Sequence, residues 1–304
     1  MKWGLIAASV LAVAIALVVV FMSRGKPEPA TKASSEKMLE VRTLAGLPKV
    51  VDIGAGDASA AFTELVKFYD QESTTLQGGQ PTAEVGDKAM ALFIQVYEAG
   101  TLSTAFLDKT TPIYPQANPT FGLAPLGVAS GALARINELR ARDDAASKQR
   151  AVKGAQAVWA VGQIMFEKAT RLPLRQQGLA LMQSAGGVMI AWTEEAAIVA
   201  ALDKWSPAIR DYTDNFLSPK LEVVSSLKPN IGDLLRIADA DKDVTFRVEA
   251  TLALARVKYN PRTKGNANGI ADAIRKLQED PDPMVQEAAK VAEAFTKEQL
   301  HGLR

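Results

Sequence analysis

The chain contains no cysteine and a single histidine, His301, within its last four residues. Cysteine-based zinc sites, thiolate nucleophiles, disulfides and thioether-linked haem are therefore excluded. A Ser-His-Asp triad would have to draw its base from a terminus expected to fray, so His301 reads as an exposed terminal side chain. An excess of either charge is also lacking. Lys and Arg total 35 against 34 Asp and Glu, and a protein so balanced has no global field to steer it toward nucleic acid, which we do not expect as a partner. Aromatic residues make up only 6% of the chain. With abundant alanine, that scarcity suits close-packed helices better than sheets, and the fold class expected is all-α. No catalytic, cofactor-binding or metal-binding residue and no cofactor can be assigned, and the expectation is a protein that is not an enzyme.

What the chain does have begins at its amino end. Residues 4–22 carry no charge, and the run through Leu11, Ile15, Val18, Val19, Val20 and Phe21 is long enough to cross a bilayer core as a helix. Lys2 precedes it, and Arg24 and Lys26 follow. A cleaved signal peptide would have a shorter apolar region and small residues at its end, whereas this run ends in Phe21 and Met22. Residues 1–24 therefore read as an uncleaved signal-anchor and single-pass transmembrane helix, with the membrane as a partner through residues 4–22. The very short amino-terminal tail places the bulk of the chain on the extracytoplasmic side. Without cysteine, lipoprotein anchoring is excluded. Pro27, Pro29, Ser34 and Ser35 then mark a polar stretch that cannot pack, and residues 25–56 read as a flexible tether.

Residues 57–227 are expected to form an irregular helical domain. Ala61, Phe62, Leu65, Val66 and Tyr69 recur at helical spacing, predicting a helix over 58–70 capped by Asp57, and Val85, Ala89, Leu92, Phe93 and Val96 predict another over 83–99. The prolines 112, 115, 119 and 125 make residues 100–125 a long connection. Helices over 126–142, 145–171 and 173–202 should follow. Within the last, residues 178–192 are apolar nearly all round, broken by Gln183 and Ser184. That marks a central buried helix in preference to a second membrane span, because about 16 apolar residues fall short of the roughly 20 a span needs. Gly186 and Gly187 read as points of close helix contact.

In residues 228–304 two segments match each other. Phe246-Arg247-Val248-Glu249-Ala250-Thr251-Leu252-Ala253-Leu254-Ala255-Arg256 follows a turn containing Asp241 and Asp243. Asp280-Pro281-Asp282-Pro283-Met284-Val285-Gln286-Glu287-Ala288-Ala289 comes about 39 residues later. Asp233 and Asp272, and Arg236 and Arg275, occupy matching places on the helices before each turn. Aspartate caps, proline in a first helical turn and small alanines are the means by which paired helices start and approach. Residues 229–300 resemble HEAT-type helical repeats, with Gln286 standing where the first copy has Arg247. The resemblance implies a protein-binding or scaffolding surface, and so a protein partner for the C-terminal repeats. Two units cannot bury a solenoid core alone, so they must dock on the helices before them.

Four local patterns bear on chemistry. Val50-Val51-Asp52-Ile53-Gly54-Ala55-Gly56-Asp57-Ala58 resembles the first nucleotide-binding motif of class I methyltransferases, although Ala58 replaces the third glycine and no strand ending in an acid follows about 20 residues on. A linker ending in the Asp57 cap is the preferred reading. Asp239, Asp241 and Asp243 have the alternate spacing of a calcium loop, but Val244 and Ala250 stand where glycine and glutamate are needed, which favours turn capping. Glu194 and Glu195 read as a solvated helix end. Arg135, Arg140, Arg142, Lys148, Arg150 and Lys153, interrupted by Glu138, Asp143 and Asp144, read as a salt-bridged helical surface, with an anionic lipid or acidic partner as the alternative. The function expected is that of a membrane-anchored scaffold. A small-molecule or lipid-binding helical domain, and behind it an S-adenosylmethionine-dependent methyltransferase, are the alternatives.

Overall fold

Helix starts in this chain are set by short polar side chains. Thr82, Asp144, Asn230, Asp243 and Asp282 each accept a hydrogen bond from a backbone N–H two or three residues on. Each bond satisfies a donor that the helix itself leaves without a partner. The computed structural model describes residues 53–77, 81–110, 119–192, 196–225, 230–259 and 267–295. Their helices are α1 (Ser59–Gln77), α2 (Ala83–Ala99), α3 (Thr104–Thr110), α4 (Pro119–Arg140), α5 (Ala145–Lys168), α6 (Leu172–Trp192), α7 (Ala196–Tyr212), α8 (Ser218–Ser225), α9 (Ile231–Ala240), α10 (Val244–Lys258), α11 (Ala267–Leu277) and α12 (Pro283–Ala294), with a π-helical turn, Thr213–Leu217, joining α7 to α8. Among the described residues there is no strand, only an isolated parallel bridge between Asp57 and Thr101. The fold is all-α.

None of the described helices is long and apolar enough to cross a membrane. The signal-anchor expected over 1–24, most of the tether expected over 25–56, and His301 lie outside the described residues. So do residues 226–229, where the helical domain was expected to give way to the repeats.

Several elements differ from the sequence expectation. The first helix runs past 70 to Gln77 because Leu76, buried in its last turn, packs where Gly131 of α4 has no side chain. The connection expected over 100–125 contains α3 and the start of α4. Pro119 opens that helix in a turn where a missing N–H costs nothing, while Pro125 sits inside it. The helix expected over 173–202 is two helices, α6 and α7. Gly186 and Trp205 are neighbours, whereas a continuous helix rising 1.5 Å per residue would hold them about 28 Å apart.

The central buried helix is α5, not the 178–192 segment of α6. Every residue of α5 from Ala157 to Phe166 is buried, and no charged residue interrupts 154–166. It packs against α2, α4 and, most extensively, α6. On α6 only one side is covered: Leu181, Met182, Ala185 and Met189 are buried, but Gln183, Ser184, Gly187 and Ile190 are exposed. The glycine pair divides in the same way. A Cβ at Gly186 would lie 2.7 Å from the Trp159 ring, whereas one at Gly187 would meet nothing within 4 Å. Along the α5–α6 seam a Cβ at Gly162 would lie 2.7 Å from the Gly178 carbonyl oxygen, so the two backbones touch. The edge-on Trp159–Trp205 and Phe166–Tyr212 ring pairs, 4.2 and 5.5 Å apart, close α7 over this seam.

The C-terminal helices form two antiparallel hairpins, α9–α10 and α11–α12. Helix α10 packs on both hairpins and also on α8 and α6, so the pair of hairpins does dock on the helices before it.

Candidate functional site

The two hairpin turns are built alike. In the first, Asp241 Oδ1 accepts from the Asp243 N–H at 2.9 Å, and Asp243 Oδ1 accepts from the Thr245 N–H at 3.0 Å. In the second, Asp280 Oδ1 accepts from the Asp282 N–H at 2.9 Å, and Asp282 Oδ1 from the Met284 N–H at 2.8 Å. Behind each turn the same i,i+3 ion pair recurs, Asp233–Arg236 on α9 and Asp272–Arg275 on α11.

The second oxygen of each leading aspartate takes a cation from the helix before its hairpin. Arg247 on α10 reaches Asp280 Oδ2. Lys220 on α8 places its Nζ 2.6 Å from Asp241 Oδ2, with both side chains 0% exposed. The ammonium also lies over the rings of Phe216 and Phe246, 4.1 and 4.5 Å from their centroids. A buried charge needs this degree of compensation, because desolvation costs several kcal/mol per ion.

Asp243 turns its other oxygen to Arg175 at 2.7 Å, and Asp239 meets Lys276 at 2.9 Å. The triplet that had calcium-loop spacing therefore diverges: Asp239, Asp241 and Asp243 face cations on α11, α8 and α6 respectively. Turn capping is what the geometry shows.

Between the two turns lies an open groove of about 640 Å³. Its rim carries Asp239, Lys242, Lys276 and Glu279, and the Arg247–Asp280 pair contributes to its lining. Two carboxylates and two ammonium groups stand there, Asp239 being paired with Lys276. Such a surface offers donors and acceptors to a polar, mixed-charge segment and supplies no thiol, imidazole or hydroxyl nucleophile.

The turns are fixed to the larger helical lobe by two arginines that sequence reading did not single out. Arg171, in the α5–α6 turn, meets Glu249 at 3.0 Å, and Arg175 binds Thr245 Oγ1 as well as Asp243 while lying 5.3 Å from the Phe166 ring centroid. Burial pushes the neighbouring Tyr212 phenol up to about 12; Arg175 opposes the rise and Asp243 adds to it. Lys220, Arg171 and Arg175 lack a local signature because their partners lie between 21 and 78 residues away along the chain.

The basic cluster is a salt-bridged surface, as its charge pattern suggested, but its main acids come from α2. Arg135, only 8% exposed, forks onto Asp87 at 3.0 and 3.1 Å and binds Glu138 at 2.6 Å. Those bonds, to Asp87 first and then Glu138, raise its pKa above the usual arginine value. Arg150 shares Asp87 at 3.0 Å, and Lys153 meets Glu98 at 2.5 Å. Arg140 lies over the Trp192 ring, 5.7 Å from its centroid. Glu194 and Glu195 fall outside the described residues.

The described part of the glycine motif is a backbone crossing. Thr101 N–H donates to Gly56 O and Ala58 N–H to Thr101 O, at 2.9 and 3.1 Å. Gly54 and Gly56 lie against the backbone of Glu98, Ala99 and Gly100, and Gly100 takes φ +126°, a conformation that favours glycine. Asp57 caps α1, accepting from the Ser59 hydroxyl and N–H. Those bonds, the hydroxyl's first, hold its carboxyl below the usual range. No family model matches the chain, and no curated protein or solved structure matches it significantly.

Proposed function

We propose that the protein is a membrane-tethered, non-catalytic scaffold that offers its HEAT-like C-terminal hairpins to a protein partner. The observation that carries this reading is the repeated turn. Two turns of the same construction are each held by a cation from the helix before the hairpin and fixed to a larger lobe, with a mixed-charge groove between them. Pre-organised turns lower the cost of ordering on binding, and a rim of mixed charge favours partners of complementary charge. Residues 4–22 are the anchor in this reading, and the bulk of the chain is extracytoplasmic; digestion by external protease in intact cells supports that side, and full protection refutes it.

The alternatives gain less from the geometry. A small-molecule site around residues 178–192 would need space in a seam where Gly162 meets Gly178 and Gly186 meets Trp159. A methyltransferase would need glycines that face a cofactor, whereas Gly54 and Gly56 face the backbone of residues 98–100.

The groove is tested with Lys242→Glu and Lys276→Glu together in the full chain, with helical content checked by circular dichroism. Cross-linked partner recovered from membrane extracts by the native chain should be lost with the variant. Equal recovery by the two chains refutes the groove as the binding surface.

A further inference from the structure

The fold has two distinct ends, defined by α5. At its C-terminal end, the turn into α6 carries Arg171 and Arg175, which hold the hairpin array. At its N-terminal end, three features meet. The α4–α5 turn begins after Arg140, whose guanidinium lies over Trp192 at the end of α6. Lys153, in the third turn of α5, pairs with Glu98. Beside Glu98, residues 99–101 hold the incoming chain at Gly56 through the Thr101–Gly56 hydrogen bond. The chain that precedes the fold therefore joins it at the end remote from the repeats. With 1.5 Å per residue, the helix from Lys153 to Lys168, its last residue, separates these ends by about 22 Å.

The tether end also carries an unusual surface. Ile190, 41% exposed, is the exposed large hydrophobic side chain among the described residues. It lies on the uncovered side of α6 with Gln183, Ser184, Gly187 and Ala191, and α6 has no charged residue from 176 to 192. Trp192, half-buried, closes this surface beneath Arg140. An apolar side chain and a tryptophan beside an arginine that can extend its head group to water are the elements of a bilayer-interface contact. About 30 residues separate the expected membrane segment from the fold, a length that lets this end reach the bilayer surface.

We infer that the α6 C-terminal end, through Ile190, Ala191 and Trp192, rests on the phospholipid surface and turns the repeat groove away from it. The inference rests on the tethered reading above. In the sequence around the contact, Arg140, Arg142 and Lys148 are set against Asp143, Asp144, Glu194 and Glu195, so no net positive charge calls for an anionic lipid and apolar insertion drives the contact.

Because the chain has no cysteine, a nitroxide can be placed at one site at a time. Ile190→Cys and, as a second reporter, Ala191→Cys are compared with Glu287→Cys on the exposed side of α12, each in the full chain reconstituted into phosphatidylcholine vesicles. Collision with oxygen, which partitions into lipid, relative to a water-soluble nickel chelate should rise several-fold at 190 and 191 and stay at the aqueous value at 287. Aqueous values at all three sites in a chain that floats with the vesicles overturn the inference and leave the anchor standing. A chain that fails to float overturns both. Dipolar broadening between labels at 190 shows that a second copy covers this surface, and also overturns the inference.

Discussion

In the α5–α6 pair, two helices meet backbone to backbone: Gly162 lies against the Gly178 carbonyl, and two tryptophans fill the space beside Gly186. In the α9–α12 hairpins, the helices are joined by turns whose leading aspartates are each engaged by a cation from the helix before. Both regions bury alanine-rich faces. They differ in what specifies the approach. Close packing in the lobe depends on the absence of atoms at a few positions, so it is sensitive to added volume. The array depends on compensated charge, so it is sensitive to the loss of one partner.

That difference can be broken first at Lys220. Lys220→Ala leaves the buried Asp241 carboxylate without its cation and should cost about 3–5 kcal/mol, read as a lower urea midpoint. Adding Asp241→Asn should recover much of the loss, and a single variant within error of the native midpoint would show that the pair is not what holds the first turn. The converse test is Gly162→Ala, which forces a methyl group toward the Gly178 carbonyl and should cost about 1–3 kcal/mol. An unchanged midpoint there would mean the seam can separate freely.

Arg175→Ala removes the bonds from α6 to Asp243 and Thr245 and should cost about 2 kcal/mol. Amide hydrogen exchange should then accelerate in α10 before α5; equal acceleration would mean that the lobe and the array open as one. Gly187→Ala sharpens the contrast with the opposite sign, since open space surrounds that position, and replacing a mid-helix glycine should stabilise by about 0.5–1 kcal/mol.

The smallest effect concerns pH. The Ser147 N–H and then its hydroxyl hold the Asp144 carboxyl below its ordinary value. Its contribution is therefore present above the unfolded carboxylate pKa and is lost as pH falls through the lower folded value. Asp144→Ala should flatten the acid side of the stability curve. A curve as steep as the native one would assign the acid dependence elsewhere.

Legibility in the sequence followed the range of the interactions. The bounds of α2 were readable because Thr82 caps it and Gly100 ends it. The hairpin turns were readable because Asp241, Asp243, Asp280 and Asp282 act on backbone two residues away. By contrast, α7 was read only to 202, as the end of a longer helix, and α8 not at all: Pro207 lies inside α7, and the π turn after it shifts the helical period. The uncharged stretch of α6 suggested full burial, yet α5, whose uncharged stretch is shorter, takes that place because α2, α4 and α6 all pack on it. At the groove, Asp239, Asp241 and Asp280 were visible as turn residues, but the cations opposite them were not, because pairing between helices has no fixed spacing. Asp87 shows the same limit: nothing near it announces that Arg135 and Arg150 share its carboxylate.

The bridge at Asp57 and Thr101 has a mechanical consequence. Any pull on the chain ahead of Ile53 is delivered first to the two hydrogen bonds linking Gly56 and Ala58 to Thr101, and to the glycine contacts beneath them. Load is thereby passed sideways into the end of α2, and through the Glu98–Lys153 pair into α5, before it can unwind α1. The crossing of three glycines, Gly54, Gly56 and Gly100, thus stands between any such pull and the first helix.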